Sequence, residues 1–137
     1  MNKSSIEKTI EINTTPKKLW RVFTDPGITR QMGGEYVTDW QVGSSFSWKS
    51  IDGNIYSNGI ITQLIPEKIL QHNLFNTDDK TTILSVITYK FKDNGGSTTL
   101  FATEDLPVEM TADEFKNASE GWDFALNTLK ETAEGIE

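Results

Sequence analysis

The groups in this sequence that could do acid–base, metal or nucleophilic chemistry are few. There is one histidine, His72 in "KILQHNLF", and no cysteine. A histidine titrates near pH 6.5 when unperturbed, so it can orient a ligand or move a proton. With no second histidine and no thiolate, a zinc or iron site would rest on carboxylates almost alone, and no spacing suggests one. No cofactor is therefore expected, and disulfide and thiol redox chemistry are excluded. A Ser–His–acid nucleophile would favour a "GxSxG" elbow, which is missing. Gly33-Gly34 follows no strand and opens no long helix, so it is not a phosphate cradle. Glu35 and Asp39 lie four apart; one of them, if buried, could serve as a base, whereas solvated turn carboxylates do nothing. Glu104 and Asp105 precede Pro107 and read as flanking a turn. No catalytic residue is assigned.

The aromatic residues say more. Trp48, Tyr56, Tyr89, Phe91 and Phe101 fall in β-type runs whose alternation fits an inward face. Tyr89 and Phe91 share a face with Ile87, and Phe101 shares one with Thr99 and Thr103. An aromatic pocket with a few hydroxyls suits a planar or lipid-like small molecule, while the same residues could equally fill a core. His72, between Leu70 and Leu74, points either to a cavity or into that core.

The elements that must position these groups are legible as patterns. "SIEKTIEIN" reads as a first strand. In "TTPKKLWRVFTDPG", Thr15 can cap a helix, Pro16 fits its first position, and Leu19, Trp20 and Phe23 fall on one face. Asp25-Pro26-Gly27 stops it, and a short helical turn is expected from Ile28 to Met32. The next stretch, to Leu106, is β: "EYVTDW", "SSFSWKSI", "IYSNGIITQLI", "KILQHNLF", "TILSVITYKF" and "STTLFATEDL". Turn signals at Gly43, Asp52-Gly53, Pro66, Asp78-Asp79 and Asn94-Gly95-Gly96 separate these runs. Such short turns imply an antiparallel meander, with the first strand pairing at an edge.

The last element is the best specified. Thr111 and Glu114 form a capping box, and Met110 and Phe115 are placed for a hydrophobic staple. Beyond it, Phe115, Ala118, Trp122, Ala125, Leu126, Leu129 and Ala133 make one helical stripe, with Phe124 about 180° away from it. A rod of roughly 35 Å results, long enough to cross a sheet. Gly121 is the oddity, because a helix-interior glycine costs about 1 kcal/mol relative to alanine.

Composition bounds the reading. The chain has 137 residues, which predicts one domain over 1–137 that buries roughly 68% of its unfolded surface. A net charge of −7, with no basic block, argues against nucleic acid as a partner. No run approaches the ~20 apolar residues of a membrane span and no leader stands out, so a cytoplasmic protein is expected.

Four segments carry a resemblance: "INTTPKKLWRVFTDPGITRQM" (12–32), "DGNIYSNGIITQLIPEKIL" (52–70), "GGSTTLFATEDLP" (95–107) and "EGWDFALNTLKE" (120–131). Their order and spacing resemble the START-like (SRPBCC) helix-grip superfamily, which includes polyketide cyclases and plant lipid-binding proteins. More closely, they resemble the family named for the C-terminal domain of the activator of heat shock protein 90 ATPase. The resemblance implies an α+β helix-grip fold: a curved antiparallel sheet of six to seven strands around a long C-terminal helix that roofs a cavity. It implies a hydrophobic small-molecule ligand, with a chaperone partner or a cofactor-free cyclase or hydrolase activity as rivals. Gly121 would let a strand, loop or ligand approach, and Trp122 would pack into the sheet. The family often has aromatics where this chain has Gln71 and Asn73, which implies a more polar cavity. The candidate cavity residues are thus Trp48, Tyr56, His72, Tyr89, Phe91, Phe101, Phe115, Ala118, Gly121 and Trp122.

Overall fold

The computed structural model describes residues 4–75, 83–107 and 109–136, apart from the side chains of Ser4, Tyr56 and Ser57. Strand β1 (Ser4–Ile12) leads into helix α1 (Pro16–Thr24), a short helix α2 (Pro26–Thr29) and a 3-10 turn (Arg30–Met32). Six strands follow: β2 (Gly34–Val37), β3 (Ser45–Ser50), β4 (Ile55–Ile65), β5 (Ile69–Phe75), β6 (Ile83–Asp93) and β7 (Thr98–Leu106). Helix α3 (Ala112–Glu134) ends the fold.

Local chemistry sets the element ends. The Thr15 hydroxyl accepts from the Lys18 N–H at 3.3 Å, and Pro16 occupies the first turn. Asp25 was expected only to stop α1, yet it does two jobs. Its N–H donates to the Arg21 carbonyl at 2.8 Å, and its carboxylate accepts from the Gly27 N–H at 2.9 Å, so it also starts α2. The turns after β3 and β6 place Gly53, Gly95 and Gly96 at positive φ, where a side chain would be strained. The turn expected at Asp78-Asp79 lies outside the described residues.

All strand pairs are antiparallel, in the order β1-β7-β6-β5-β4-β3-β2, which makes the curved sheet a meander with β1 closing one edge. The register puts Tyr89 opposite Leu70 and Ala102, and Phe91 opposite Leu100. These inward side chains meet Leu19, Val22 and Phe23 of α1 in a core that also buries Ile12, Phe46 and Ile61. Each such side chain contributes roughly 1.5–3 kcal/mol on burial.

Helix α3 begins with the expected capping box. The Thr111 hydroxyl accepts from the Glu114 N–H at 3.1 Å, and the Glu114 carboxylate accepts from the Thr111 N–H at 2.8 Å. Its stripe is shorter than the sequence pattern suggests. Residues 112–117 are exposed, and the helix settles against the rest of the protein only from Ala118 onward. From there it packs on β1, α1 and the 3-10 turn. Polar contacts anchor that half. Lys8 pairs with Asp123 at 2.9 Å, the Lys130 ammonium reaches the Glu11 carbonyl at 2.7 Å, and the Glu134 carboxylate accepts from the Asn13 N–H at 2.8 Å. The Asn13 N–H and, after it, Lys130 hold the Glu134 carboxyl below its ordinary pKa. Among the described residues, no helix is long and apolar enough to cross a membrane.

Candidate ligand-binding cavity

Because α3 rests on β1 and α1, it stands off the inner faces of the middle strands. The gap is a cavity of about 370 Å³ that is open to solvent. Its sheet wall alternates down each strand: Tyr36 from β2, Phe46 and Trp48 from β3, His72 and Leu74 from β5, and Ile87 and Tyr89 from β6. Met32 of the 3-10 turn also lines it. From α3 come Trp122, Phe124, Ala125, Leu126, Thr128 and Leu129.

The rings hold one another in place. Tyr36 lies 4.8 Å from Phe46 and 4.9 Å from Trp48, centroid to centroid. Tyr89 lies 5.0 Å from Phe23 and 6.0 Å from Trp122. These are the tilted and edge-on separations that aromatic quadrupoles prefer. The Trp122 indole N–H donates to the Glu104 carboxylate at 2.9 Å, fixing the ring's outer edge. Gly34 explains Trp48, since a Cβ there would meet the Trp48 ring at 2.8 Å and the Lys49 carbonyl at 2.5 Å.

His72 is 4% exposed and stacks on Phe46 at 4.2 Å. Its Nδ1 lies 3.1 Å from the Asn73 carbonyl. Burial lowers its pKa to about 4 against the modest opposing effect of that carbonyl, so the ring is neutral at pH 7. A neutral ring beside a carbonyl carries its proton on Nδ1. Burial also raises the Tyr36 hydroxyl to about 12. The Tyr89 hydroxyl is pushed well above its ordinary value by burial first, then by Tyr36 and Glu104. Among the described residues, no buried side-chain nitrogen or oxygen lacks a partner. Neither hydroxyl has a hydrogen-bond partner among the described residues, and both tyrosines line the cavity.

Of the candidates read from sequence, Trp48, His72, Tyr89 and Trp122 line this cavity. The side chain of Tyr56 lies outside the described residues. The others fall elsewhere. Phe91 is buried in the core against Trp20 and Phe23, at 5.6 and 5.7 Å. Phe101 pairs with Lys90 in the register and is 39% exposed on the outer face, the opposite parity from Ala102 and Tyr89. Phe115 is 44% exposed on the first turns of α3. Ala118 is half-buried but does not line the cavity. At Gly121 no strand or loop among the described residues approaches, because a Cβ there would have nothing within 4 Å, and Gly121 does not line the cavity.

Gln71 and Asn73 do not make the cavity polar either. They sit on the other parity from His72. Gln71 donates to Thr88 at 2.9 Å, and Asn73 accepts from the Ile60 N–H at 2.8 Å. Glu35 faces away from the cavity and pairs with Arg30 at 3.1 Å, and Asp39 is exposed. No three His, Asp or Glu side chains among the described residues cluster as a metal site would require. Sequence reasoning missed Tyr36, Phe46 and Ile87 as lining residues, although their parity with Trp48 and Tyr89 marked them. It placed Phe124 off the helix stripe; at 75% exposure it stands at the cavity rim.

A curved antiparallel meander holding a long C-terminal helix, with two short helices after β1 and a cavity between, defines the START-like helix-grip class. The family model described as "Activator of Hsp90 ATPase homolog 1-like protein" matches residues 13–134, and the chain belongs to that family. Solved structures agree on the fold. The Aha1 dimer of Colwellia psychrerythraea is 20% identical, with a TM-score of 0.77 over 96% of this chain and 97% of that one. ChR145 of Cytophaga hutchinsonii is 26% identical, with a TM-score of 0.77 over 96% and 94%. DynU16, a protein of the dynemicin biosynthetic locus, is 16% identical, with a TM-score of 0.78 over 96% of this chain and 47% of that one. No curated protein matches the sequence.

Proposed function

We propose that this protein binds a hydrophobic small molecule, aromatic or lipid-like, in the cavity between the sheet and α3. The observation that carries the reading is the cavity itself: about 370 Å³, walled mainly by aromatic and aliphatic side chains with few polar groups among them. That volume lies within the range of small-molecule sites, and the wall composition suits an apolar, planar occupant oriented by a few hydrogen bonds. A protein of the same fold in the dynemicin biosynthetic locus fits a small-molecule role.

A chemical-shift titration with lipids, flavonoids and polyketides tests the proposal. Signals of Ile87, Tyr89, Trp122 and Leu126 should move together, while those of Phe101 and Phe115 stay fixed as outer-surface controls. If no panel member moves the cavity set, the reading falls. The family description also points to a chaperone partner. ATPase stimulation of an Hsp90 chaperone by the purified protein tests that second reading, and no stimulation at high protein concentration would end it.

A further inference from the structure

Resting on the cavity reading above, we infer that the site selects uncharged ligands that donate a hydrogen bond to Nε2 of His72, and that it rejects carboxylates. The geometry fixes which nitrogen is offered. The ring is clamped on one face by Phe46, and its Nδ1 is turned to the Asn73 carbonyl. The Nδ1 proton belongs to that carbonyl, so Nε2 keeps its lone pair and can only accept. Among the described residues Nε2 has no protein partner, and no buried nitrogen is left unsatisfied. Nε2 is therefore the part of the ring that meets the cavity.

Among the described residues, the walls carry no compensating charge. Of the described side chains lining the cavity, only His72, Tyr36 and Tyr89 can titrate, and all three are neutral near pH 7. The carboxylate that approaches this wall is Glu104, held behind it by the Trp122 indole. Its negative charge already opposes ionisation of Tyr89. A ligand anion would lose its water with no cation among the described lining residues to replace it and would face that carboxylate, which is strongly unfavourable in an apolar site. A neutral hydroxyl or phenol meets an acceptor at His72 and hydroxyls at Tyr36 and Tyr89.

Three probes of one shape separate the terms: 2-naphthol, 2-methoxynaphthalene and 2-naphthoate, titrated by calorimetry against the wild type, His72→Phe and His72→Met. His72→Phe keeps a ring to stack on Phe46 but removes the acceptor. The naphthol-to-ether affinity ratio should fall about fivefold in either variant, the worth of one net hydrogen bond. In the wild type, 2-naphthoate should bind at least roughly tenfold more weakly than 2-naphthol. If the probes bind but the ratio is unchanged in both variants, or the naphthoate equals the naphthol, this inference fails and the cavity reading stands. If neither variant folds, the wild-type naphthoate comparison still decides. Silence from all three probes and from the wider panel overturns both.

Discussion

Glycine shows at the residue scale how little the type alone reveals. Gly121 and Gly59 both interrupt regular elements, yet their surroundings are opposite. At Gly121 a Cβ enters open space in the middle of α3, while at Gly59 it would lie 1.8 Å from the Asn73 carbonyl, where β4 and β5 pair beside His72. Gly121→Ala should raise stability by about 0.5–1 kcal/mol, through helix propensity and a less flexible unfolded chain. Gly59→Ala should lower it by more than about 2 kcal/mol, because backbone must move to admit the methyl. Urea unfolding of the two variants checks both signs, and a stabilised Gly59→Ala would contradict the packing described. His72 adds a pH signature. Unfolded, the ring takes its proton near pH 6.5; folded, it does so near pH 4. Between those values the unfolded chain binds more protons, so this residue's contribution to stability is lost as the pH falls from 6.5 toward 4, by about 3 kcal/mol. His72→Phe should flatten that part of the stability–pH curve and leave the part above pH 7 unchanged.

Secondary structure was legible because its signals are local: the Thr15-Pro16 start, the Thr111–Glu114 box, and turn pairs such as Asp52-Gly53. Which face of a strand points inward was less so. A single strand shows that Phe101 alternates with Leu100 and Ala102, but both parities carry apolar residues. Only the pairing of Phe101 with Lys90 and Thr9 settles that it faces out. The helix stripe misled for a related reason. Periodicity reports which side of α3 is apolar, not how far along its length a partner extends, and residues 112–117 stay exposed. Amide exchange should therefore divide α3, with residues 112–117 exchanging much faster than 122–133. Thr111→Ala removes a cap worth about 1 kcal/mol locally. It should speed exchange in the first turns while leaving the global unfolding midpoint nearly in place. Trp122→Ala should lower that midpoint clearly, with a stability loss of roughly 2 kcal/mol or more, because the indole packs on Tyr89 and bonds Glu104. Equal midpoint shifts for the two variants would mean that the first turns belong to the cooperative core.

For the whole molecule, the void follows from where the long helix is tied down. Lys8, Glu11 and Asn13 hold its second half along the β1 edge, and α1 fills the space next to that edge with Leu19, Val22 and Phe23. Among the described residues, nothing of comparable bulk covers the inner faces of β3 and β5, so Phe46, Trp48, His72 and Leu74 line one wall of an open volume beneath Trp122 and Leu126. A fold selected only for stability would fill that space, since apolar burial is the cheapest stabilisation available. Ala125 offers a way to do so without removing any existing contact: it lines the cavity from the helix side, and leucine is nearly as good a helix former as alanine. Ala125→Leu places three further carbons at the cavity and should hold or raise stability by up to about 1 kcal/mol. The same change should weaken binding of any cavity ligand at least tenfold by occupying its volume. Thermal unfolding and a probe titration on one preparation read both effects. A variant that keeps its stability and still binds 2-naphthol as the wild type does would place the ligand somewhere other than beneath α3.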